Sequence, residues 1–141
     1  MNMIYVYSKV NPGQLLHCII NTLECNSGRI DISPSDKFLQ VSVMRLLKDK
    51  HIPPHIHLSR QDSSLGSIIT QESWVIMRGK ILIRLFDLNK LFLIEQELTE
   101  GFLLVTFNGG HSLRCIEEGT IMLEFKNGPY LGRDFEVFSD C

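Results

Sequence analysis

The sequence predicts a small all-β domain, a sandwich or barrel of short strands, with a short N-terminal helix in front of it. Three observations carry this reading. The chain has 141 residues, enough to bury a real core and short of the length at which chains usually split. From Gly28 onward it breaks into segments rich in Val, Ile, Leu and Phe, with turn signals about every ten residues, as sandwiches and barrels do. Before that point the periodicity is helical, because Leu15, Leu16, Ile19, Ile20 and Leu23 recur at helical spacing.

In chain order, Met3–Tyr7 reads as a strand. Asn11-Pro12-Gly13-Gln14 reads as a helix start, with Asn11 as N-cap, Pro12 at the first helical position and Gln14 able to complete a capping box. The helix is expected over 12–23 and ends at Asn26-Ser27-Gly28. Strands are expected over 29–33, 38–47, 54–58, 73–77, 80–87, 91–98, 102–107, 111–116 and 121–126, ordered as a meander. Arg78-Gly79 has the form of a two-residue hairpin. Asn108-Gly109-Gly110 and Glu117-Glu118-Gly119 mark turns where glycine supplies positive φ. The longest connection, 59–71, contains SRQDSSLGS and is polar and flexible by composition, the kind of loop that forms a rim or lid. After Asn127, Gly128-Pro129-Tyr130 and Gly132 predict a turn and then a segment lying along the barrel. Residues 1–37 thus read as an extension packed on a barrel of residues 38–141.

The formal charge of -2 leaves no extended positive surface for a phosphate backbone, so nucleic acid is not an expected partner. The most apolar window, WVIMRGKILIRLF, is interrupted by Arg78, Lys80 and Arg84, which argues against a membrane span. The opening MNMIYVYSK lacks the features of a secretory signal, so a cytoplasmic location is expected. Cys18, Cys25, Cys115 and Cys141 form no C-x-x-C pair and are expected to be reduced thiols.

The chemistry concentrates in HIPPHIH. On a strand, residues i and i+2 share a face roughly 7 Å apart, so His55 and His57 can converge on one ion while Ile56 turns away. Glu72 and His111, delivered from other strands, complete a set of three imidazoles and one carboxylate. Such borderline donors suit divalent Fe, Mn, Co, Ni, Cu or Zn better than Ca or Mg, with a position left open for substrate. His51 reads either as a pocket base or as a solvent-facing residue at a strand entrance. His17 reads as an ordinary helix residue. Glu124 and Lys126 share one strand face, opposite Phe125, and either line the pocket mouth or form a surface ion pair. Lys126 and Tyr130 suit contacts to a phosphate or a sugar hydroxyl, and Tyr130 can also donate a proton. Arg45 and Arg84 alternate with apolar residues and either reach the pocket or cover the outer sheet face. Trp74 reads as core or interface.

The order H-x-H, then E-x6-G, then a histidine in a glycine-rich turn resembles the two motifs of the cupin superfamily, jelly-roll barrels that hold a metal at their mouth. The resemblance extends to the WbuC-type cupin fold metalloproteins of bacterial polysaccharide clusters. It rests on Pro54-His55-Ile56-His57, Glu72-Ser73, Gly79, Phe86-Asp87, Gly101, His111-Ser112 and Glu124-Phe125-Lys126-Asn127-Gly128-Pro129-Tyr130. Fourteen residues separate His57 from Glu72, more than the general cupin spacing, and read as an inserted loop. Asp49 stands where the first motif usually opens with glycine, and Cys115 where the second usually ends with asparagine. The resemblance implies metal ligation by His55, His57, Glu72 and His111. It also implies a small-molecule substrate, a sugar or sugar nucleotide of cell-surface polysaccharide synthesis, and a homodimer. Two other readings stay open: a metal-independent sugar-nucleotide isomerase or epimerase using a pocket histidine as base, and a non-enzymatic ligand-binding module.

Overall fold

Segments that alternate apolar and polar residues and carry many β-branched side chains bury one face and pair along the other direction. In the computed structural model, which describes residues 3–26, 28–129 and 132–139, they form strands β1 (Met3–Tyr7), β2 (Leu15–Ile20), β3 (Gly28–Asp31), β4 (Leu39–Leu46) and β5 (His51–His57). Next come β6 (Arg60–Asp62), β7 (Gly66–Ile68), β8 (Glu72–Arg78), β9 (Lys80–Phe86) and β10 (Phe92–Thr99). The last are β11 (Leu103–Thr106), β12 (Gly110–Cys115), β13 (Thr120–Asn127) and β14 (Phe135–Val137). Each of the nine strands expected from 29 to 126 has a counterpart.

Two five-stranded antiparallel sheets face each other, ordered β10-β9-β12-β5-β14 and β11-β8-β13-β4-β3. No pairing among the described residues joins one sheet to the other, so the jelly roll is an open sandwich and not a closed barrel. The core lies between the sheets. Met44, Leu46, Trp74, Ile76 and Met122 from one side meet Ile81, Ile83, Leu98, Leu113 and Cys115 from the other, each large side chain contributing about 1.5–3 kcal/mol by leaving water. A smaller cluster of Cys25, Val43 and Ile121 sits on the outer face of the second sheet, under Ile20, Ile30 and Ile32 from the N-terminal part.

Four expectations are corrected. No helix spans 12–23: β2 pairs antiparallel with β1, from Met3↔Ile20 to Tyr7↔Leu15. Asn11-Pro12-Gly13-Gln14 is the turn between them, with Gly13 at φ 87 and the Gln14 N–H donating to the Asn11 carbonyl at 3.1 Å. Proline at the second position and a positive-φ glycine at the third define a type II turn. Among the described residues the one helical turn is a 3-10 turn over Thr22–Glu24. Second, the strand order is not a meander, and Arg78-Gly79 makes no hairpin. β8 and β9 lie in different sheets, Gly79 turns the corner at φ 85, and a Cβ there would strike Thr120. Third, the 59–71 connection is ordered as the β6–β7 hairpin, whose tip is held by Asp62 Oδ1 accepting from Ser64 N at 2.8 Å and Leu65 N at 2.9 Å. Fourth is the open sandwich in place of the barrel. Asp49 takes φ 63, a left-handed conformation that Asp tolerates better than most residues.

Candidate metal centre

One end of the sandwich interior is polar. β5 ends there with His55 and His57, β8 begins there with Glu72, and β12 begins there with His111. Register brings them together, since His111 sits opposite His55 and Lys126 opposite Glu72. The four groups are buried, Glu72 at 5% exposure and His111 at 0%. One ligand atom from each lies within 4.8 Å of all the others.

The contacts among them are those of donors facing a shared point. His111 Nε2 is 2.6 Å from Glu72 Oε1, yet the pair lacks hydrogen-bond alignment, and both atoms are buried without a hydrogen-bond partner. His57 Nε2 lies 3.5 Å from Glu72 Oε2, and both nitrogens of His57 and of His111 are likewise buried without such a partner. Native interiors rarely leave polar atoms so, and each one costs about 1–3 kcal/mol. A divalent cation would satisfy several at once, and the donor set suits a transition ion. His55 is oriented already: its Nδ1 lies 2.9 Å from the Pro53 carbonyl. A carbonyl only accepts, so the neutral ring carries its proton on Nδ1 and leaves Nε2 as the donor.

Electrostatics favour the binding-competent states of His55 and Glu72 and oppose that of His57. Burial, helped by nearby His111, pushes His55 down to about 4, which keeps it neutral at pH 7. Burial alone would raise Glu72, but His111 and His57 more than reverse it and hold the carboxyl below its ordinary range. Burial opposes the charged form of His57, and Glu72 with Asp134 outweighs it, so His57 is raised.

His55, His57 and Glu72 border a cavity of about 230 Å³ whose wall includes Arg29, Trp74, Glu124, Lys126 and Phe135. Glu124 is buried and pairs with Arg29 Nη2 at 2.7 Å, more closely than with Lys126 Nζ at 3.4 Å. Glu124 and Lys126 both line the cavity, and their ion pair lies in its wall. Arg29 also bonds Asp31 and Ser42, at 2.7 and 2.6 Å. Trp74, two residues along β8 from Glu72, lays its ring edge-on to His111 with centroids 5.0 Å apart and closes the site from the apolar core.

Other expected residues lie elsewhere. His51 is on the opposite sheet face, in an outer groove with Arg84, Glu95 and Arg114. The cause is a bulge, because β12 advances two residues from His111 to Leu113 while β5 advances three from Ile52 to His55. Ile52 and His55 thereby share the inner face and His51 is turned out. Arg45 is also on an outer face, its Nη1 donating to the Cys25 carbonyl at 3.3 Å, as the alternative of covering the sheet had it. Arg84 projects into that same outer groove. Tyr130 lies outside the described residues. Sequence reasoning missed Arg29, Asp134 and Phe135. Arg29 and Asp31 do alternate with Ile30, a signal that they share a face, whereas nothing local marks Asp134 or Phe135.

No protein-family model matches the chain, and no curated protein matches it. Among solved structures, the fold is similar to that of the capsular polysaccharide assembling protein CapF from Staphylococcus aureus, with a TM-score of 0.62 and 16% identity over 82% of this chain and 33% of that one. It is similar to an uncharacterized conserved protein with a double-stranded β-helix domain from Klebsiella pneumoniae, with a TM-score of 0.60 and 15% identity over 86% of this chain and 97% of that one. It is also similar to KdgF from Halomonas sp., with a TM-score of 0.54 and 12% identity over 70% of this chain and 76% of that one. The chain thus has the cupin, or double-stranded β-helix, fold, and identities this low speak to fold alone. No helix among the described residues is long and apolar enough to cross a membrane.

Proposed function

We propose that the chain is a metal-binding cupin that acts on a small molecule, a sugar or sugar nucleotide of bacterial cell-surface polysaccharide synthesis. One observation supports the metal above all: four buried donors from three strands converge on one point while several of them lack hydrogen bonds. His55, His57, Glu72 and His111 would hold the ion, which supplies Lewis-acid activation of a carbonyl or hydroxyl when bound. Lys126 would meet an anionic or hydroxyl group of the ligand from its place beside Glu72, and Glu124, fixed by Arg29, would accept from a ligand hydroxyl. Trp74 and Phe135 exclude water from the apolar side. Tyr130 keeps the role of proton donor in this reading on its sequence position. His51 and Arg45 are left out of it, since both project from outer sheet faces.

The sugar class is supported by the WbuC-type motifs and by the likeness to CapF, a capsular polysaccharide assembling protein. The convergence of the imidazoles favours the metal-dependent reading over the isomerase that uses a histidine base without an ion. A cytoplasmic homodimer belongs to the same proposal, with residues 1–37 as an extension of the 38–141 unit, and sedimentation at micromolar concentration giving twice the chain mass would support it. Elemental analysis of protein never exposed to chelator is expected to give about one transition ion per chain. Protein that holds none and takes up none on reconstitution would contradict the proposal.

A further inference from the structure

His55 and His57 stand two residues apart on one strand, yet they are oriented by different means. His55 uses a carbonyl of its own strand, Pro53. His57 instead faces Asp134, from the far C-terminal segment, with Nδ1 3.5 Å from Oδ1 while its Nε2 faces Glu72. The other oxygen of Asp134 is occupied: Oδ2 accepts from the buried hydroxyl of Thr70 and lies 3.7 Å from Arg60 Nη1. Arg60 in turn donates to the carbonyls of Pro129, Asn127 and Gly128 at 2.9, 3.0 and 3.2 Å. The backbone joins in, with Leu58 N donating to the Asp134 carbonyl at 2.7 Å. Arg60 opens the β6–β7 insertion and Thr70 follows it, so the insertion and the C-terminal segment clamp one carboxylate from both sides.

We infer that Asp134 is a positioning residue for the metal centre and that the β6–β7 insertion exists in this fold to hold it there. A neutral imidazole has one N–H, and a carboxylate beside Nδ1 draws the proton to that nitrogen and leaves Nε2 as donor. Thr70 and Arg60 fix the carboxylate, which faces the ring's Nδ1 at 3.5 Å, short of a hydrogen bond, and biases its tautomer and orientation by charge.

The inference rests on the metal reading above, and its test separates the two. Full-length wild type, Asp134→Ala and Thr70→Val are titrated with cobalt(II), recording affinity and the visible absorption bands, with the melting temperature of each metal-free protein measured alongside. Asp134→Ala is expected to weaken binding about 10–100-fold, the usual effect of removing such a partner, and to move the absorption bands. Thr70→Val, nearly isosteric, should shift both in the same direction by less; a lower melting temperature is expected too, since Asp134 loses its hydroxyl donor, so affinity and bands are the readout. The double variant should bind no worse than Asp134→Ala alone, because both act through one path. Wild-type affinity and bands in Asp134→Ala and Thr70→Val would overturn the inference. If Asp134→Ala does not fold, the Thr70→Val result decides by itself. Wild type that takes up no cobalt would overturn the metal reading, and this assignment with it.

Discussion

Along the same strands the interior changes character from one end to the other. On β8 the inward residues run Glu72, Trp74, Ile76; on β12 they run His111, Leu113, Cys115; on β13, read backward, Lys126, Glu124, Met122. One end is hydrocarbon at close packing and supplies stability. The other buries carboxylates and imidazoles, groups that weaken a fold unless something satisfies them. The two ends share backbone, register and strand twist, so the difference lies wholly in side-chain chemistry. Strands fixed at the apolar end hold the polar end in place at little further entropy, which is what a preorganised site needs.

The largest effect expected from breaking this contrast is at the apolar end. Leu113→Ala should lower unfolding free energy by about 2–5 kcal/mol in a denaturant titration, while the protein that remains folded keeps its metal. His111→Leu, two residues away on the same face, should act on the other function: metal uptake is lost, at a smaller cost in stability than Leu113→Ala, since ring nitrogens without partners go while Glu72 loses a neighbour that favours its charge. Next in size, a metal at 100 times its dissociation constant should stabilise wild type by about 2.7 kcal/mol, an increment that chelator removes and that Glu72→Ala lacks in the same thermal assay. Arg29→Met leaves Glu124 buried without its closest cation and should cost about 1–3 kcal/mol, measured by denaturant.

Much of this contrast was legible beforehand. Apolar runs between glycine-bearing turns mark all nine middle strands, and the two-residue period by itself places His55 and His57 on one face. What escaped notice depended on partners distant in sequence. Leu15, Leu16, Ile19 and Ile20 fit a helix as well as a strand, and only pairing with Met3–Tyr7 decides between them. Pro12 and Gly13 serve a helix cap or a type II turn equally in the sequence alone; the Gly13 φ of 87 selects the turn. His51 sits four residues before His55 and would share its face in a regular strand, but the Pro53-Pro54 bulge turns it out. Arg29 reaches the cavity only because β3 adds to the edge of β4, and Asp134 because β14 adds to the edge of β5.

The smallest effect is also the sharpest comparison between neighbouring groups of the polar end. In metal-free protein, NMR of the imidazole nitrogens should show His55 neutral down to about pH 4, while His57 gains its proton at higher pH than a free histidine. The sign for His55 follows from its depressed folded value: an unfolded chain binds the proton first, so this group's contribution is complete above about pH 6.5 and falls away as pH drops toward 4. His57, raised, works in the opposite direction. His55 protonating at or above the ordinary histidine value would remove the burial argument.

X-ray absorption at the metal edge of zinc-reconstituted protein tests the central claim most directly. The account predicts imidazole scattering from three rings, with Zn–N distances of about 2.0–2.1 Å and one carboxylate oxygen at about 2.0–2.2 Å. A spectrum fitted by oxygen neighbours alone, or one unchanged by His57→Ala and His111→Ala, would contradict it.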